Sequence, residues 1–293
     1  MEVGAAWSVA GVAPTAADDA LVGRVTGWPA DPAVGPSPLR WARVVMAGVN
    51  AVVAAAGEVD PLSLRLVDAW LQVAPGPPPD PDRAPTWVDR AEPGRHVAAE
   101  ARLREVVDLG ALTGLRIDVA VAAEDGADLA RAGLTLAGRG AGLAGGTRPG
   151  PPDGPGPPPA GAPDAALERR VEVGDEAVAG FSGWVGDPTP IHTDREAAAA
   201  AGLRGPIAPG LFVLGVLAAH AAEAARLAVT GVGARFVRPA VVGDELTVGV
   251  GGAAPGAGPR LRATAVGPEG PVVRRAWVEV GGPSGSDPPG TLR

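Results

Sequence analysis

The sequence predicts an α+β protein of two units, each an antiparallel sheet wrapped around a helix. Three observations support this: a Gly- and Pro-rich run at residues 140–163, a long apolar helix followed by strand patterns after it, and a weaker copy of the same order before it. A Gly/Pro run cannot hold a helix or a central strand. The predicted organisation is therefore domain 1–140, linker 141–164, domain 165–281 and a flexible tail at 282–293.

The C-terminal unit carries the clearer pattern. Residues 168–173 alternate as a strand does, and Asp194 can cap a short helix over 195–201. Residues 211–229 form a longer helical pattern that is apolar nearly all round its first half, so this helix is predicted to be buried. Strand patterns follow at 232–239, 246–250, 261–266 and 272–280.

The N-terminal unit repeats this order. Residues 39–56 have helical apolar spacing, and Pro38 just before them fits a helix start. A second proline-rich run at 75–85 predicts a loop inside this unit. Strand patterns follow at 97–107, 115–123 and 129–137.

Composition excludes several kinds of chemistry. The 293 residues contain no cysteine and no tyrosine, and all 25 basic residues are arginine. A disulfide framework, a thiolate metal site, a cysteine nucleophile and a Schiff-base lysine are therefore excluded. The net charge of −8 disfavours nucleic acid as a main partner.

No targeting or membrane segment is predicted. The N-terminus has an acidic residue at Glu2 and no basic region before its apolar stretch. The longest apolar run near the start, residues 44–57, is shorter than the ~20 residues that a membrane-spanning helix needs. A cytoplasmic protein without membrane contact is expected.

One short segment carries the candidate chemistry. Asp187 and His192 lie five residues apart, and Pro188 and Pro190 stand between them. Proline fixes φ and biases the residue before it to extended backbone, which predicts a rigid loop and no helix. Such a loop can direct a carboxylate and an imidazole at one small molecule, a pair suited to acid–base work on water.

A second feature follows at the start of the long helix. Pro209 is predicted in the first helical turn, where its missing N–H costs little, and Gly210 comes next. A helix N-terminus presents unpaired N–H groups and a partial positive charge, and glycine permits close approach of a ligand. Gly210 is therefore a candidate donor to an oxygen that gains negative charge during a reaction.

These residues resemble a known family. The segment GDPTPIHTD, then IAPGL before an apolar helix, and FVRPAVVGDELTV at residues 236–248 resemble the MaoC-like family of (R)-specific enoyl-CoA hydratase 2 and dehydratase enzymes. The resemblance covers about the C-terminal 110 residues. It implies a hot-dog fold, with the N-terminal domain as a degenerate second hot dog that forms the wall of a substrate tunnel.

The resemblance also implies roles for individual residues. Asp187 and His192 match the pair that holds and activates a water, and Gly210 matches the backbone donor to the thioester carbonyl. The implied reaction is syn addition of water to a trans-2-enoyl thioester, giving an (R)-3-hydroxyacyl thioester, or the reverse. It needs no metal or other cofactor, because the acyl group is carried on CoA or acyl-carrier protein; a homodimer is compatible with the family.

Three positions on the substrate side differ from the family pattern. Thr189 stands where the family often has Asn, Pro209 where it often has His, and Ala218 where many members have Ser. These differences leave alternatives open. They are a polyketide-pathway dehydratase or cyclase acting on carrier-bound chains, a hot-dog thioesterase, and a non-catalytic scaffold subunit.

Other polar residues have simpler interpretations. Asp187 or His192, taken singly, could be structural, and His96 and His220 are predicted to be so. One Asp and one His supply two ligands, which is too few for a tetrahedral metal site. The arginines that could contact carrier phosphates, or only solvent, are Arg195, Arg204, Arg235 and Arg238.

Overall fold

One antiparallel sheet of 11 strands forms the framework of the protein. The structure, a computed structural model, describes residues 2–31, 34–56, 64–74, 95–110, 112–138, 167–251 and 260–281. The predicted linker, proline-rich loop and tail, and the predicted boundaries at residues 140 and 165, lie outside the described residues.

The N-terminal half contains five strands and two α-helices. In chain order they are β1 (Ala6–Val12), α1 (Ala16–Thr26), α2 (Ala42–Ala56), β2 (Arg65–Val73), β3 (His96–Asp108), β4 (Thr113–Ala123) and β5 (Asp128–Gly138). A 3-10 turn at Pro38–Trp41 leads directly into α2.

The C-terminal half repeats this order with additions. Its elements are β6 (Leu167–Glu172), α3 (Asp175–Val185), α4 (Arg195–Ala200), α5 (Gly210–Ala225), β7 (Ala228–Phe236), β8 (Glu245–Gly251), β9 (Arg260–Gly267), the two-residue β10 (Gly270–Pro271) and β11 (Val273–Gly281). A 3-10 turn at Pro190–His192 precedes α4.

The two halves share one strand topology. The sheet order is β1-β3-β4-β5-β2-β7-β11-β9-β8-β6, with β10 paired to β9. From its outer edge to the centre of the sheet, the N-terminal half has the order β1, β3, β4, β5, β2, and the C-terminal half has the order β6, β8, β9, β11, β7. When the strands of each half are counted in chain order without the two-residue β10, both halves follow the order first, third, fourth, fifth, second. The halves meet at β2 and β7, where Ala69 faces Ala234 and Trp70 faces Gly233.

Each half wraps its strands around one long helix. Helix α2 packs on β1, β3 and β4, and α5 packs on β7, β8, β9 and β11. Every residue from Leu211 to Ala222 is buried, as the apolar sequence predicts. The segment Pro38–Ala56 is long and apolar enough to cross a membrane, but two thirds of it (67%) is buried inside the protein, as in a core helix.

Most of the predicted elements are confirmed. Helix α2 and strands β3, β4, β5, β6, β8, β9 and β11 lie where the sequence places them, and Asp194 caps α4 by accepting from the N–H groups of Glu196 and Ala197. The predicted end of α5 at residue 229 is wrong. Arg226 adopts the left-handed conformation (φ 53°) and ends the helix, and Ala228 and Val229 already belong to β7.

Candidate active site

The turn after α3 fixes the position of Asp187. Helix α3 ends at Gly186, whose φ of 74° is left-handed and therefore favours glycine. The N–H groups of Gly186 and Asp187 both donate to the carbonyl of Ser182, each at 3.2 Å. The Asp187 carboxylate then accepts the N–H of Thr189 at 2.9 Å and closes a turn around Pro188.

His192 ends the 3-10 turn that follows. The prediction of a loop with no helix is therefore wrong in one detail: Pro190 begins a single 3-10 turn, because its fixed φ and missing N–H suit a first helical position. This turn places the ring of His192 against Asp187. The distance from His192 Nε2 to Asp187 Oδ2 is 3.2 Å, and the two side chains are 9% and 17% exposed.

A backbone carbonyl determines which nitrogen of His192 faces the carboxylate. His192 Nδ1 lies 2.7 Å from the carbonyl oxygen of Ile207. A carbonyl only accepts hydrogen bonds, so Nδ1 carries a proton. The other ring nitrogen, Nε2, then faces Asp187 Oδ2 and is the position at which His192 can exchange a proton with the carboxylate.

The surroundings of Asp187 favour its ionised form. Burial alone raises the pKa of this carboxyl group. Hydrogen bonds from His192 and Thr189, together with the charge of His192, outweigh burial and bring the pKa of Asp187 below its ordinary value. An ionised Asp187 carboxylate therefore faces Nε2 of His192, and the two side chains are close enough to exchange a proton.

Helix α5 begins at the same place with Gly210. Pro209 is the residue that precedes the helix and not, as predicted, part of its first turn; its ψ of 144° is extended. Gly210 has no space for a side chain. A Cβ there would lie 2.7 Å from Leu66 Cδ2 and 2.9 Å from Phe236 Cζ. Within the described residues the Gly210 N–H has no hydrogen-bond partner, so it remains available to a ligand.

One cavity of about 360 Å³ connects these residues. Asp187, Thr189, His192, Pro209 and Gly210 all line it, so the structure brings together five of the six predicted site residues. Both halves of the chain supply its apolar walls. The lining residues from the N-terminal half include Met46, Val49, Val53, Leu64, Leu66, Leu134 and Leu136.

The sixth predicted residue lies elsewhere. Ala218 is fully buried in the core and does not line the cavity. Eight residues of helix separate it from Gly210, a rise of about 12 Å. The structure therefore does not bring Ala218 together with the other five predicted residues.

The remaining polar candidates are also placed. His96 is exposed at the start of β3, and the Nε2 of His220 lies 3.1 Å from the carbonyl of Leu167, away from the cavity. Of the four arginines considered for carrier phosphates, only Arg238 borders the cavity. Arg204 pairs with Asp244 and Glu269, and Arg235 lies 3.7 Å from Asp68.

No metal site was found in the part of the chain that the structure describes. No three His, Asp or Glu side chains there are grouped as metal ligands. The functional pair has its own protein partners, which are Thr189 for Asp187 and Ile207 for His192.

Sequence reasoning missed three residues that shape the site. Phe236 lies in the segment that carries the family resemblance, but its contact with Gly210 is visible only in three dimensions. Leu66 lies on β2, where a register shift between Leu66 and Asp68 breaks the alternation that would reveal a strand. Asn50 is one of two polar residues in the otherwise apolar α2, and this is the sequence feature that could have indicated a role for it.

Solved structures with the same architecture identify the fold. A conserved hypothetical protein of Mycobacterium tuberculosis with a double hot-dog fold matches at a TM-score of 0.60 and 11% identity, covering 95% of this chain and 96% of that one. A MaoC-like dehydratase from Phytophthora capsici matches at 0.72 and 16%, covering 95% of each chain. The protein is therefore a double hot dog, and the predicted fold class is confirmed.

A larger protein contains the same fold. The full-length peroxisomal multifunctional enzyme type 2 of Drosophila melanogaster matches at a TM-score of 0.69 and 18% identity, covering 94% of this chain. The matched part is 48% of that enzyme, so this chain spans about half of its length.

The family follows from the sequence of the C-terminal half. Residues 157–252 match the model of the MaoC like domain. A UPF0336 protein of Streptomyces avermitilis is 36% identical over 87 residues, which cover 26% of this chain and 58% of that protein. The C-terminal half therefore carries a MaoC-like domain, and the predicted family resemblance is confirmed.

Proposed function

We propose that this protein is a hydro-lyase that adds water to trans-2-enoyl thioesters or removes it from (R)-3-hydroxyacyl thioesters. One observation carries the proposal. Asp187 and His192, whose side chains are 3.2 Å apart, line the same cavity as Gly210 at the start of α5. A base, an acid and a helix N-terminus thus face one space.

The pair can exchange protons with a water and an enoyl group. For hydration, the Asp187 carboxylate takes a proton from water as the hydroxyl oxygen forms its bond to C3. In this mechanism His192 acts in its doubly protonated form and gives its Nε2 proton to C2 on the same face. Asp187 is then protonated and His192 neutral, and transfer of one proton between them restores the starting pair. The sum is one water added across the double bond.

The start of α5 stabilises the charge that this addition creates. As hydroxide adds to C3, negative charge moves to the thioester oxygen. The N–H of Gly210 and the positive end of α5 lie beside the cavity, where they favour that charge. Loss of one such donor typically raises a barrier by about 2.7–4 kcal/mol.

The rest of the cavity suits an acyl chain. Its N-terminal-half wall consists mainly of Val, Leu and Met side chains, which match a hydrocarbon by burial of apolar surface. Because acid, base and oxyanion donor are all protein groups, the proposed reaction uses no metal or redox cofactor. The acyl group would arrive on CoA or on an acyl-carrier protein.

Hydration of enoyl thioesters tests the proposal directly. The purified protein is mixed with crotonyl-CoA, with longer trans-2-enoyl-CoAs and with enoyl groups on acyl-carrier protein, and loss of enoyl absorbance is followed. We expect hydration of at least one series, with (R)-3-hydroxyacyl product on chiral analysis. Failure on every chain length and both carriers would contradict the proposal.

The same reaction mixtures distinguish the alternative functions from hydration. Release of free thiol would indicate a thioesterase, and a thiol reagent reports it without background because the chain has no cysteine. Activity on carrier-bound branched or cyclic intermediates alone would indicate a polyketide-pathway enzyme. Activity that appears only with a partner hot-dog chain, and survives loss of Asp187, would indicate a scaffold.

A further inference from the structure

A single side chain of the N-terminal half contacts the backbone next to Asp187. Asn50, on the core helix α2, donates from Nδ2 to the carbonyl oxygen of Gly186 at 2.9 Å. Asn50 is half-buried and lines the cavity. The contact joins residues 136 positions apart in the chain.

This hydrogen bond completes the restraint of one peptide unit. The peptide between Gly186 and Asp187 has its N–H bound by the carbonyl of Ser182 at 3.2 Å and its C=O bound by Asn50. A peptide held at both ends cannot rotate as a plane, so ψ of Gly186 and φ of Asp187 are fixed together. These two angles set the direction in which the Asp187 side chain leaves the backbone.

The sequence of α2 shows that Asn50 costs stability where it stands. The helix reads ARVVMAGVNAVVAAA, in which Arg43 and Asn50 are the only polar residues. In a helix interior, asparagine is less favourable than alanine by a few tenths of a kcal/mol or more (about 0.7 at most). Near the end of α3 its amide instead satisfies a carbonyl that the helix leaves unpaired.

We propose that Asn50 is a positioning residue, which holds the Gly186 carbonyl so that the carboxylate of Asp187 points at His192. This inference rests on the proposed function, since it assigns Asn50 a role in the same site. The degenerate half then contributes to the chemistry through the backbone of the other half.

Substitution of Asn50 tests the role. Asn50→Ala removes the donor and favours the helix, so the variant should fold. We expect kcat to fall on the order of 10- to 100-fold, as for a small misplacement of a reacting group, with KM within about threefold of wild type. Asn50→Gln keeps an amide and should recover part of the lost kcat. The matched control is Ala54→Asn, which places an asparagine at an exposed position one turn further along α2 and should leave kcat unchanged.

The kinetic pattern separates positioning from substrate binding. A rise in KM with unchanged kcat would mean that Asn50 contacts substrate, and it would overturn the inference. Unchanged kinetics would overturn it too. Equal losses in Asn50→Ala and Asn50→Gln, matched by lower melting temperatures in both, would indicate a purely structural role and also overturn it.

A crystal structure of the Asn50→Ala variant gives a result that does not depend on activity. We expect the Asp187 carboxylate to turn away from His192, lengthening the Nε2–Oδ2 distance from 3.2 Å. An unchanged pair would overturn the inference. If wild type fails to hydrate any enoyl thioester, the proposed function fails, while this distance still decides whether Asn50 positions Asp187.

Discussion

The two halves of the chain build the same turn and place different side chains on it. After α1, Gly27 is left-handed (φ 73°), and the N–H groups of Gly27 and Trp28 donate to the carbonyl of Gly23. After α3, Gly186 is left-handed, and the same two bonds run to Ser182. The sequences Gly-Trp-Pro and Gly-Asp-Pro then follow. Trp28 thus occupies the position of Asp187.

The starts of the two core helices differ in the same way. In the C-terminal half, the N–H of Gly210 opens onto the cavity. In the N-terminal half, the 3-10 turn Pro38–Trp41 runs into α2, and the N–H of Ala42 donates to the carbonyl of Leu39. The N-terminal helix start is therefore closed by the protein itself and cannot serve an oxyanion.

This comparison separates the fold from the chemistry. Both halves have the strand order, the core helix and the glycine-capped turn, but only one has the Asp–His pair and the open helix start. The N-terminal half retains three contributions to the site, namely apolar wall, the packing of Leu66 on Gly210 and the bond from Asn50.

The largest expected effect comes from removing the pair. Asp187→Asn and His192→Ala should each lower kcat for enoyl-thioester hydration by about 10²–10⁴-fold, the usual contribution of a positioned acid or base. Initial rates of enoyl-thioester hydration by the purified variants measure this loss of kcat. The controls are Asp194→Asn, which retains a good helix cap, and His96→Ala at an exposed position of the N-terminal half. Equal losses in variants and controls would contradict the assignment.

The second effect comes from filling the space at Gly210. In Gly210→Ala, the new Cβ would lie 2.7 Å from Leu66 Cδ2 and 2.9 Å from Phe236 Cζ, so these side chains or the start of α5 must shift. We expect a fall in kcat on the order of 100-fold, and partial recovery when Leu66→Ala is added. Gly180→Ala is the control, because a Cβ there meets nothing within 4 Å. Full activity of Gly210→Ala would show that the helix start is not used.

A smaller effect should be confined to long substrates. Val53 on α2 lines the cavity and is 6% exposed. Val53→Phe should lower kcat/KM for long-chain enoyl-CoAs by about 10- to 200-fold, the range for hydrophobic pockets, and leave crotonyl-CoA almost unaffected. Val53→Ala should shift the preference toward longer chains. A uniform loss over all chain lengths would indicate damage to folding and not a change of tunnel.

The smallest effect concerns stability and pH. Because the pKa of Asp187 is lowered in the folded protein, its ionised form stabilises the fold at pH values above the unfolded pKa of about 3.8. That contribution is lost as pH falls through the lower, folded pKa. The difference in free energy of unfolding between wild type and Asp187→Asn should therefore shrink as the pH falls below about 4. Urea titrations at several pH values measure it, with Asp194→Asn as control.

The sequence predicts those elements whose pattern matches their burial. Strands β3 and β4 largely alternate between buried and more exposed residues, and α2 buries the apolar residues that recur with helical spacing. Apart from the two-residue β10 and the 3-10 turn at Pro190–His192, four elements were not predicted. Strand β1 is an edge strand without a buried residue, α1 has little apolar contrast between its faces, α3 contains two internal glycines, and β2 has a register shift.

The site was predictable as far as its residues are close in sequence. Asp187, Thr189, His192, Pro209 and Gly210 lie within 24 positions of one another, and their order carries the family pattern. Contacts between the two halves join residues that are far apart in the sequence, so no short sequence motif predicts them. Leu66 reaches Gly210 and Asn50 reaches Gly186 only because β2 pairs with β7 and α2 packs near α3.

Joining two hot dogs in one polypeptide has an evolutionary consequence. In an assembly of identical single hot-dog chains, any substitution appears in both copies, so a change made in the cavity wall of one copy is also present in the other. Here the seam between β2 and β7 unites two independently mutable sequences. Substitutions can then alter the apolar wall that the N-terminal half supplies to the cavity while Asp187 and His192 in the other half remain unchanged.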